Sequence, residues 1–476
     1  MGANIIINFA SEMTLSSVPN LKKQSAIFSP ELFKVILTVA IPVTLQTILF
    51  SSKGLIDLVM IGQLTEQNIA AIGVASRALF VATIFLAGVT AGGAMLTAQY
   101  FGAKDQVGVT RSTALTWVMA TGAALIPLCA FHFYGDGIMG LSTSSPEIIA
   151  LGHQYLQISG WSLFAVAYVG SIAAGLRAMH QAAVSTWFSG FGIALNVMFN
   201  WVLIFGQFGF PELGLKGAAI ATLLSSLLEV LAIYLYLKTK MHPLRFGVQA
   251  LKQGLQWQHV RPFFSLSMPT TLNFLAWSGG LFAYTAIMGQ TGEAGLVVLS
   301  VITPIEAFSL SFLTGIANAS AVIVGNQLGA NKPELAYAQA KGFTVIAVGV
   351  TLLVSVSLWL LQSTVLDLFT ALSLETRHLA EQFYLILCFG ILLRSLPTLM
   401  VVGVLRAGGD VKFCLYQDLC TQWLFGIPLA ALGAFVFGFS APVIFAMFFL
   451  ETLFKWGACL YRFRSRKWMN YLITEG

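Results

Sequence analysis

Apolar runs dominate the pattern along this chain. Windows of 20 residues or more, nearly free of charge, recur between residues 33 and 463, separated by short polar stretches. A run of that length crosses a hydrocarbon core of roughly 30 Å as an α-helix, which satisfies its own backbone polar groups. The alternation over ~10-residue segments that marks a membrane β-barrel is absent. Twelve spans are read in this way, near 33–60, 70–100, 112–133, 148–176, 183–206, 215–237, 262–289, 296–328, 336–361, 378–405, 412–437 and 441–463. Several exceed 25 residues, which fits tilted helices that project beyond the bilayer. The expected fold class is an all-α membrane protein with twelve transmembrane helices.

Composition agrees. Of 476 residues, 57% are hydrophobic and 9% charged, against about 25% charged in soluble domains. That is too little charge to cover a water-facing surface of this size, so the expected surroundings are a lipid bilayer. In a soluble protein the net charge of +6 would suggest nucleic acid. Here the positive charge sits in loops beside spans, and no nucleic-acid partner is expected. One set of segments holds 19 basic residues, including Lys22, Lys23, Lys104, Arg111, Arg177, Lys332, Lys341, Arg406 and Arg462, while the opposite loops hold only Lys216 and Arg377. The positive-inside rule then puts both termini in the cytoplasm. The expected location is a bacterial inner (plasma) membrane, with the chain multi-pass and monomeric.

The longest polar stretch, 238–261, divides the spans into two sets of six. The expected organisation is a cytoplasmic N-terminal segment (1–30), an N-lobe (31–239), a linker (240–260), a C-lobe (261–464) and a cytoplasmic tail (465–476). No cleavable signal pattern opens the chain, and the first span is expected to serve as the insertion signal. The five cysteines lie in or beside apolar runs without CxxC spacing, so neither a zinc site nor a disulfide framework is suggested.

The two sets of six resemble each other. Pro42 and Pro269 are 227 apart, as are Thr44 and Thr271, Leu45 and Leu272, Ser51 and Ser278, Gly88 and Gly315, Gly102 and Gly329, and Ala103 and Ala330. "QYFGAKD" (99–105) pairs with "NQLGANK" (326–332), and "GLRAMHQ" (175–181) echoes "VLRAGGD" (404–410) at an offset of 229. Six helices is an even number, so both halves insert the same way. Two pseudo-symmetric six-helix bundles around a central cavity are expected, with alternating access by rocking one against the other. The prolines inside spans permit bending, or simply shape static packing.

With these residues in view, the chain resembles the multidrug and toxic compound extrusion (MATE) family. The similar stretches are "AIPVTLQTILFSSKGLIDLVMIGQL" (40–64) with Asp57 and Gly62, "NVMFNWVLIFGQFGFPELGLKGAAIAT" (196–222) and "GVLRAGGD" (403–410). The resemblance covers about residues 30–470 and implies export of cationic or amphipathic organic compounds, driven by inward Na+ or H+, with Asp57 matching the first-helix carboxylate linked to cation coupling. It departs from the Na+-type branch: Trp277 stands where that branch has a seventh-helix glutamate, and Arg394 and Ser395 fall near its tenth-helix aspartate. The chain looks instead like a branch carrying Glu306, Arg394, Asp418 and Glu451 in its second half.

Charge inside a bilayer costs roughly 2.5–3.5 kcal/mol per group, so each such residue needs a partner, a cavity or a function. The acidic set is Asp57, Glu229, Glu306, Asp418 and Glu451, and the basic set is Lys53, Arg77, Arg394 and Lys455. Lys53 and Asp57 are four apart on one helix; the pair is read as the cation-coupling site, with Asp57 binding H+ or Na+ and Lys53 tuning it. No other metal site is expected. Glu306, Arg394 and Asp418 are expected to form one network with Arg394 between two carboxylates, either a static clamp or an attractor for cationic substrate. Glu451–Lys455 reads as a pair near a helix end, with Lys455 snorkelling to the interface. Arg77 is a partner for Asp57 or for a carbonyl. Gln46, Asn196, Asn200, Asn273, Asn318 and Gln422 either line the path or tie helices together, and Phe164, Tyr168, Trp277, Tyr284 and Trp423 could stack on a flat cation or face lipid. There is no nucleophile–base set, metal cluster or nucleotide motif, so neither an enzyme nor a cofactor is expected, and energy should come from an ion gradient. The leading expectation is an antiporter for small organic cations. The alternative is a flippase for a lipid-linked saccharide, which should show a cationic cavity; the near-balance of deep charges, five acidic to four basic, favours antiport.

Overall fold

The twelve apolar runs form twelve helical rods in a computed structural model, which describes residues 30–61, 64–367 and 374–473. The expected N-terminal segment, Gly62 and the side chain of Lys53 lie outside the described residues. The first six rods are α1 (Pro30–Ile61), α2 (Glu66–Gly102), α3 (Gln106–Phe133), α4 (Pro146–Ser159 continuing as Ser162–Ala178), α5 (Ala182–Phe205) and α6 (Gly214–Thr239). The second six are α7 (Trp257–Gly289), α8 (Glu293–Gly329), α9 (Pro333–Leu360), α10 (Leu374–Ala407), α11 (Val411–Phe435) and α12 (Ala441–Arg464). Short helices at Gly135–Gly140, Val248–Gly254 and Gln362–Leu366 fall between them. No strand occurs among the described residues.

Local chemistry sets the ends. Thr65 accepts from the Asn68 amide to cap α2, and Asp105 accepts from the Gly108 amide at 2.8 Å to cap α3. Prolines open α4 and α9, where their missing N–H costs nothing. Pro42 and Pro269 sit inside α1 and α7. α4 bends by 45° at its break. Among the described residues, π-helical turns occur in the second half alone, in α10 (Leu399–Val404) and α11 (Leu419–Gly426), a distortion often found beside functional groups.

The repeat is present in the geometry. A Cβ on Gly88 would strike Thr271, and one on Gly315 would strike Thr44, the equivalent pair with the lobes exchanged. Likewise Gly102 meets the Asn326 carbonyl, and Gly329 meets that of Gln99. Gln46 donates to Ser189 at 2.9 Å in one half, and Asn273 donates to Asp418 at 2.6 Å in the other. Even the turns match: Lys104 and Asn331 take positive φ (61° and 57°), as do His180 and Gly409 (60° and 73°). The two six-helix lobes are thus related by a pseudo-twofold.

The cores show how the lobes join. At the end carrying the basic loops, buried apolar clusters run across the boundary: Val39 and Val43 of α1 pack with Ile316, Phe343 and Leu399, and Leu96 and Tyr100 of α2 pack with Phe263 and Leu266. At the opposite end each lobe keeps its own cluster, around Leu86 and Leu156 in one and Phe383 and Phe445 in the other. The lobes therefore meet at the basic end and part towards the other. The last described residues bridge them: Gln99 of α2 donates to the Ala407 and Asn470 carbonyls at 3.1 and 3.0 Å and accepts from the Leu472 amide at 2.8 Å.

Candidate functional site

A cavity of ≈ 450 Å³ lies between the lobes. Its N-lobe wall comes from α2 and α4 and is mostly small and apolar: Ala87, Ala91, Ala94, Ala98 and Ala174, with Thr90 and Arg177. Small residues there let the lobes approach closely while leaving room between them. Its C-lobe wall carries Asn273, Trp277 and Tyr284 of α7, Asn318 of α8, Arg394 and Arg406 of α10, Asp418 and Gln422 of α11, and Glu451 and Lys455 of α12.

Lys455 is the centre of the C-lobe charge cluster. Its ammonium lies 2.9 Å from Asp418 and 3.1 Å from Glu451, and all three side chains are buried. The remaining lone pairs are taken by neutral donors: Tyr284 donates to Glu451 at 2.7 Å and Asn273 donates to Asp418 at 2.6 Å. Asn273 in turn accepts from Arg406 at 2.7 Å, and the Arg406 guanidinium covers the Phe274 ring at 4.7 Å. Burial of two carboxylates is tolerable because each carboxylate oxygen has a donor and a cation is shared between them.

Arg394 is elsewhere on the same wall. It is paired with Glu306 and covers the Phe449 ring at 4.9 Å. The expected Glu306–Arg394–Asp418 network is therefore two clusters, because the partner that reaches Asp418 is Lys455 of α12. Lys455 does not snorkel: one helical turn from Glu451, it points inward and is 8% exposed. Gln422 lines the cavity with its side-chain oxygen buried and unpartnered.

Asp57 is outside the cavity wall. It accepts from Asn200 of α5 at 2.6 Å, and Tyr155 lies close by. Asn196, one turn before Asn200, donates to Thr222 of α6 at 3.4 Å. The side-chain oxygens of both asparagines are buried and accept no hydrogen bond. Two unpartnered buried amide oxygens one helical turn apart on α5, one of them on the residue that donates to Asp57, are polar groups that a small cation or a protonated group could engage. Gln46 is spent on Ser189 and takes no part in the cavity. Arg77 is exposed on α2, and no ion pair joins it to Asp57 among the described residues. Trp277, Tyr284, Asn273, Asn318 and Gln422 do line the cavity; Phe164, Tyr168 and Trp423 do not.

Sequence reasoning missed Arg177 and Arg406, which it assigned to loops. Both line the cavity near its basic end. The signal was the repeated Leu-Arg-Ala triplet at 176–178 and 405–407, which places one arginine at the same point of each lobe.

Known proteins give the same frame. The MatE family model matches residues 42–202 and 269–432, more than half of the chain. A probable multidrug resistance protein NorM from Bradyrhizobium diazoefficiens is 29% identical over 90% of this chain and 92% of its own length. An uncharacterized transporter, YisQ, from Bacillus subtilis is 24% identical over 90% of this chain and 93% of its own. Among solved structures, MATE in complex with MaL6 matches with a TM-score of 0.83 at 18% identity, covering 94% of this chain and all of its own. The Vibrio cholerae MATE transporter VcmN matches with a TM-score of 0.83 at 18% identity, covering 92% of this chain and 98% of its own.

Proposed function

The chain belongs to the MatE family of membrane transporters, and from that premise we propose that it is an antiporter that exports cationic or amphipathic organic compounds in exchange for H+ or Na+. Its cargo travels through the cavity between the lobes, and its coupling ion binds at Asp57. The observation that carries this reading is the Asp57 carboxylate held by Asn200 of α5, on a helix face where the side-chain oxygens of Asn200 and of Asn196, one turn away, are buried and unpartnered. An unfilled buried acceptor costs about 1–3 kcal/mol, which a bound cation recovers. A site for a small ion and a roomy cavity for an organic molecule give exchange its two ligands. Lys53, one turn before Asp57 in sequence, is assigned the tuning role.

With the basic end cytoplasmic under the positive-inside rule, the cavity faces outward in this arrangement, and rocking the lobes would open the basic end instead. The bacterial relatives agree with a plasma-membrane location. The NorM relative's name supports drug-like cargo, and we assign a monomer as the working unit.

The test is uptake into proteoliposomes of ethidium and of a zwitterionic fluoroquinolone, with Na+ and H+ gradients imposed and collapsed in turn. Accumulation that needs one of the gradients supports exchange; accumulation indifferent to both contradicts it. A second reading, a flippase for a lipid-linked saccharide, has one observation in its favour: the cavity wall carries Arg177, Arg394, Arg406 and Lys455 against Asp418 and Glu451. Scrambling of a labelled lipid-linked saccharide by the same liposomes would decide for it.

A further inference from the structure

Arg177 and Arg406 face one cavity from opposite lobes, at matching points of the repeat, and among the described residues neither makes an ion pair with a carboxylate, Arg406 reaching Asp418 only through Asn273. Among the described residues the Arg177 side chain makes no hydrogen bond, ion pair or ring contact; it is half-buried in the last turn of α4 and lines the cavity with Ala174 and Ala178. Arg406 is 6% exposed and is held by one neutral oxygen, from Asn273, and by the Phe274 ring. A guanidinium has five N–H donors, so most of those of Arg406 and all of those of Arg177 are unspent. The other cations on the wall differ: Lys455 and Arg394 already hold carboxylates. Guanidinium donors left unspent in a cavity wall are available to a group of opposite sign. Planar guanidinium groups recognise carboxylate and phosphate oxygens by paired hydrogen bonds.

We propose that Arg177 and Arg406 form an anion site at the basic end of the cavity, built half from each lobe, which takes a carboxylate or phosphate group of the cargo. The cargo is then zwitterionic or anionic and amphipathic, its anionic group between the two arginines and its apolar body against the alanines of α2. Because the arginines lie on different lobes, rocking the lobes changes their separation, so the anion is held differently in the two arrangements. This rests on the reading that the cavity carries cargo and adds the sign of one of its charges.

The experiment titrates the full-length protein in phosphatidylcholine nanodiscs, reading intrinsic tryptophan fluorescence and heat. The probes are inorganic phosphate, citrate, dihexanoyl phosphatidic acid and, as a cation, tetraphenylphosphonium. At least one anion is expected to bind saturably. Arg177→Gln and Arg406→Gln should each weaken it by about tenfold or more, and Arg→Lys at either position by less. Tetraphenylphosphonium should not weaken in the same variants. Binding confined to the phosphatidic acid identifies a lipid headgroup as the source; binding of phosphate or citrate identifies a soluble anion. In the unmodified protein the bound anion should also slow phenylglyoxal labelling of Arg177 and Arg406, a readout that survives if a variant misfolds. No saturable anion binding, or anion binding unaffected in both variants without protection of either arginine, overturns the proposal. Ion-driven transport with no anion binding would sink this inference alone, and anion binding through these arginines without ion-driven transport would sink the antiport reading alone.

Discussion

Where the N-lobe sets Gln46 against Ser189, the C-lobe sets Asn273 against Asp418 at the matching points of the repeat. The backbone is shared and the charge is not. In the N-lobe the described side chains placed beside Asp57, Asn200 and Tyr155, are neutral, and two asparagine oxygens there await a partner. In the C-lobe Asp418 and Glu451 share Lys455, and Glu306 has Arg394. A pocket of unsatisfied neutral acceptors around a carboxylate can take up a cation without breaking other bonds. In the C-lobe the carboxylates are tied into a shared network around Lys455. On the proposed reading, ion coupling belongs to the N-lobe and the charged cavity wall to the C-lobe.

The largest effect should come from breaking the C-lobe cluster. Lys455→Met leaves two buried carboxylates facing each other and is expected to cost about 3–5 kcal/mol of stability, read as a lowered midpoint of thermal unfolding in detergent. Combining it with Asp418→Asn and Glu451→Gln should recover most of that loss. If Lys455→Met alone is as stable as the native chain, the cluster is not the clamp described.

Next in size is closure at the basic end. Gly102 and Gly329 let the ends of α2 and α8 meet backbone to backbone. Gly102→Leu or Gly329→Leu should hold that end apart and cut transport by about tenfold or more, since packed interfaces cannot absorb a side chain at backbone contact. A cysteine placed at Ala98 should then label from the basic side in the variants and be protected in the native protein.

Asn200→Ala tests the N-lobe pocket more gently. It removes one donor to Asp57 and one waiting acceptor, about 1–2 kcal/mol, and should raise the concentration of coupling ion needed for half-maximal transport by roughly tenfold. An equal effect from Gln46→Ala would blur the comparison, because Gln46 touches only Ser189 and not the pocket.

The smallest effect concerns pH. His180, in the turn after α4, lies 2.7 Å from Asn326 of the other lobe, and burial pushes its pKa below the usual histidine value. A histidine lowered in the closed arrangement takes up a proton first when that end opens. Closure is therefore fully supported at neutral pH and weakens as pH falls through the ordinary value of about 6.5. His180→Asn should flatten this dependence in the Ala98 labelling experiment.

Most of the fold was legible because length and hydropathy decide it. The twelve expected spans lie within a few residues of the twelve rods, and the 227 and 229 offsets recur as reciprocal contacts and matching turns. The site was less so. Arg177 and Arg406 were read as loop cations because positive charge beside a span usually faces the cytoplasm, and only three dimensions show that these two turn inward. Glu451 and Lys455 stand four apart on α12, a spacing equally suited to a solvated pair near a helix end. That Lys455 reaches Asp418 of α11, and Arg394 reaches only Glu306, depends on helix rotation and on the π-helical turns of α10 and α11, which no periodicity in the sequence announces.

The most direct measurement compares Asp57→Asn with Asp418→Asn in proteoliposomes that accumulate cargo against an imposed Na+ or H+ gradient. The account predicts that Asp57→Asn abolishes gradient-driven accumulation while cargo still equilibrates down its own gradient, and that Asp418→Asn keeps the gradient dependence with altered cargo affinity. Gradient-driven accumulation that persists in Asp57→Asn, or that is lost only in Asp418→Asn, would contradict it.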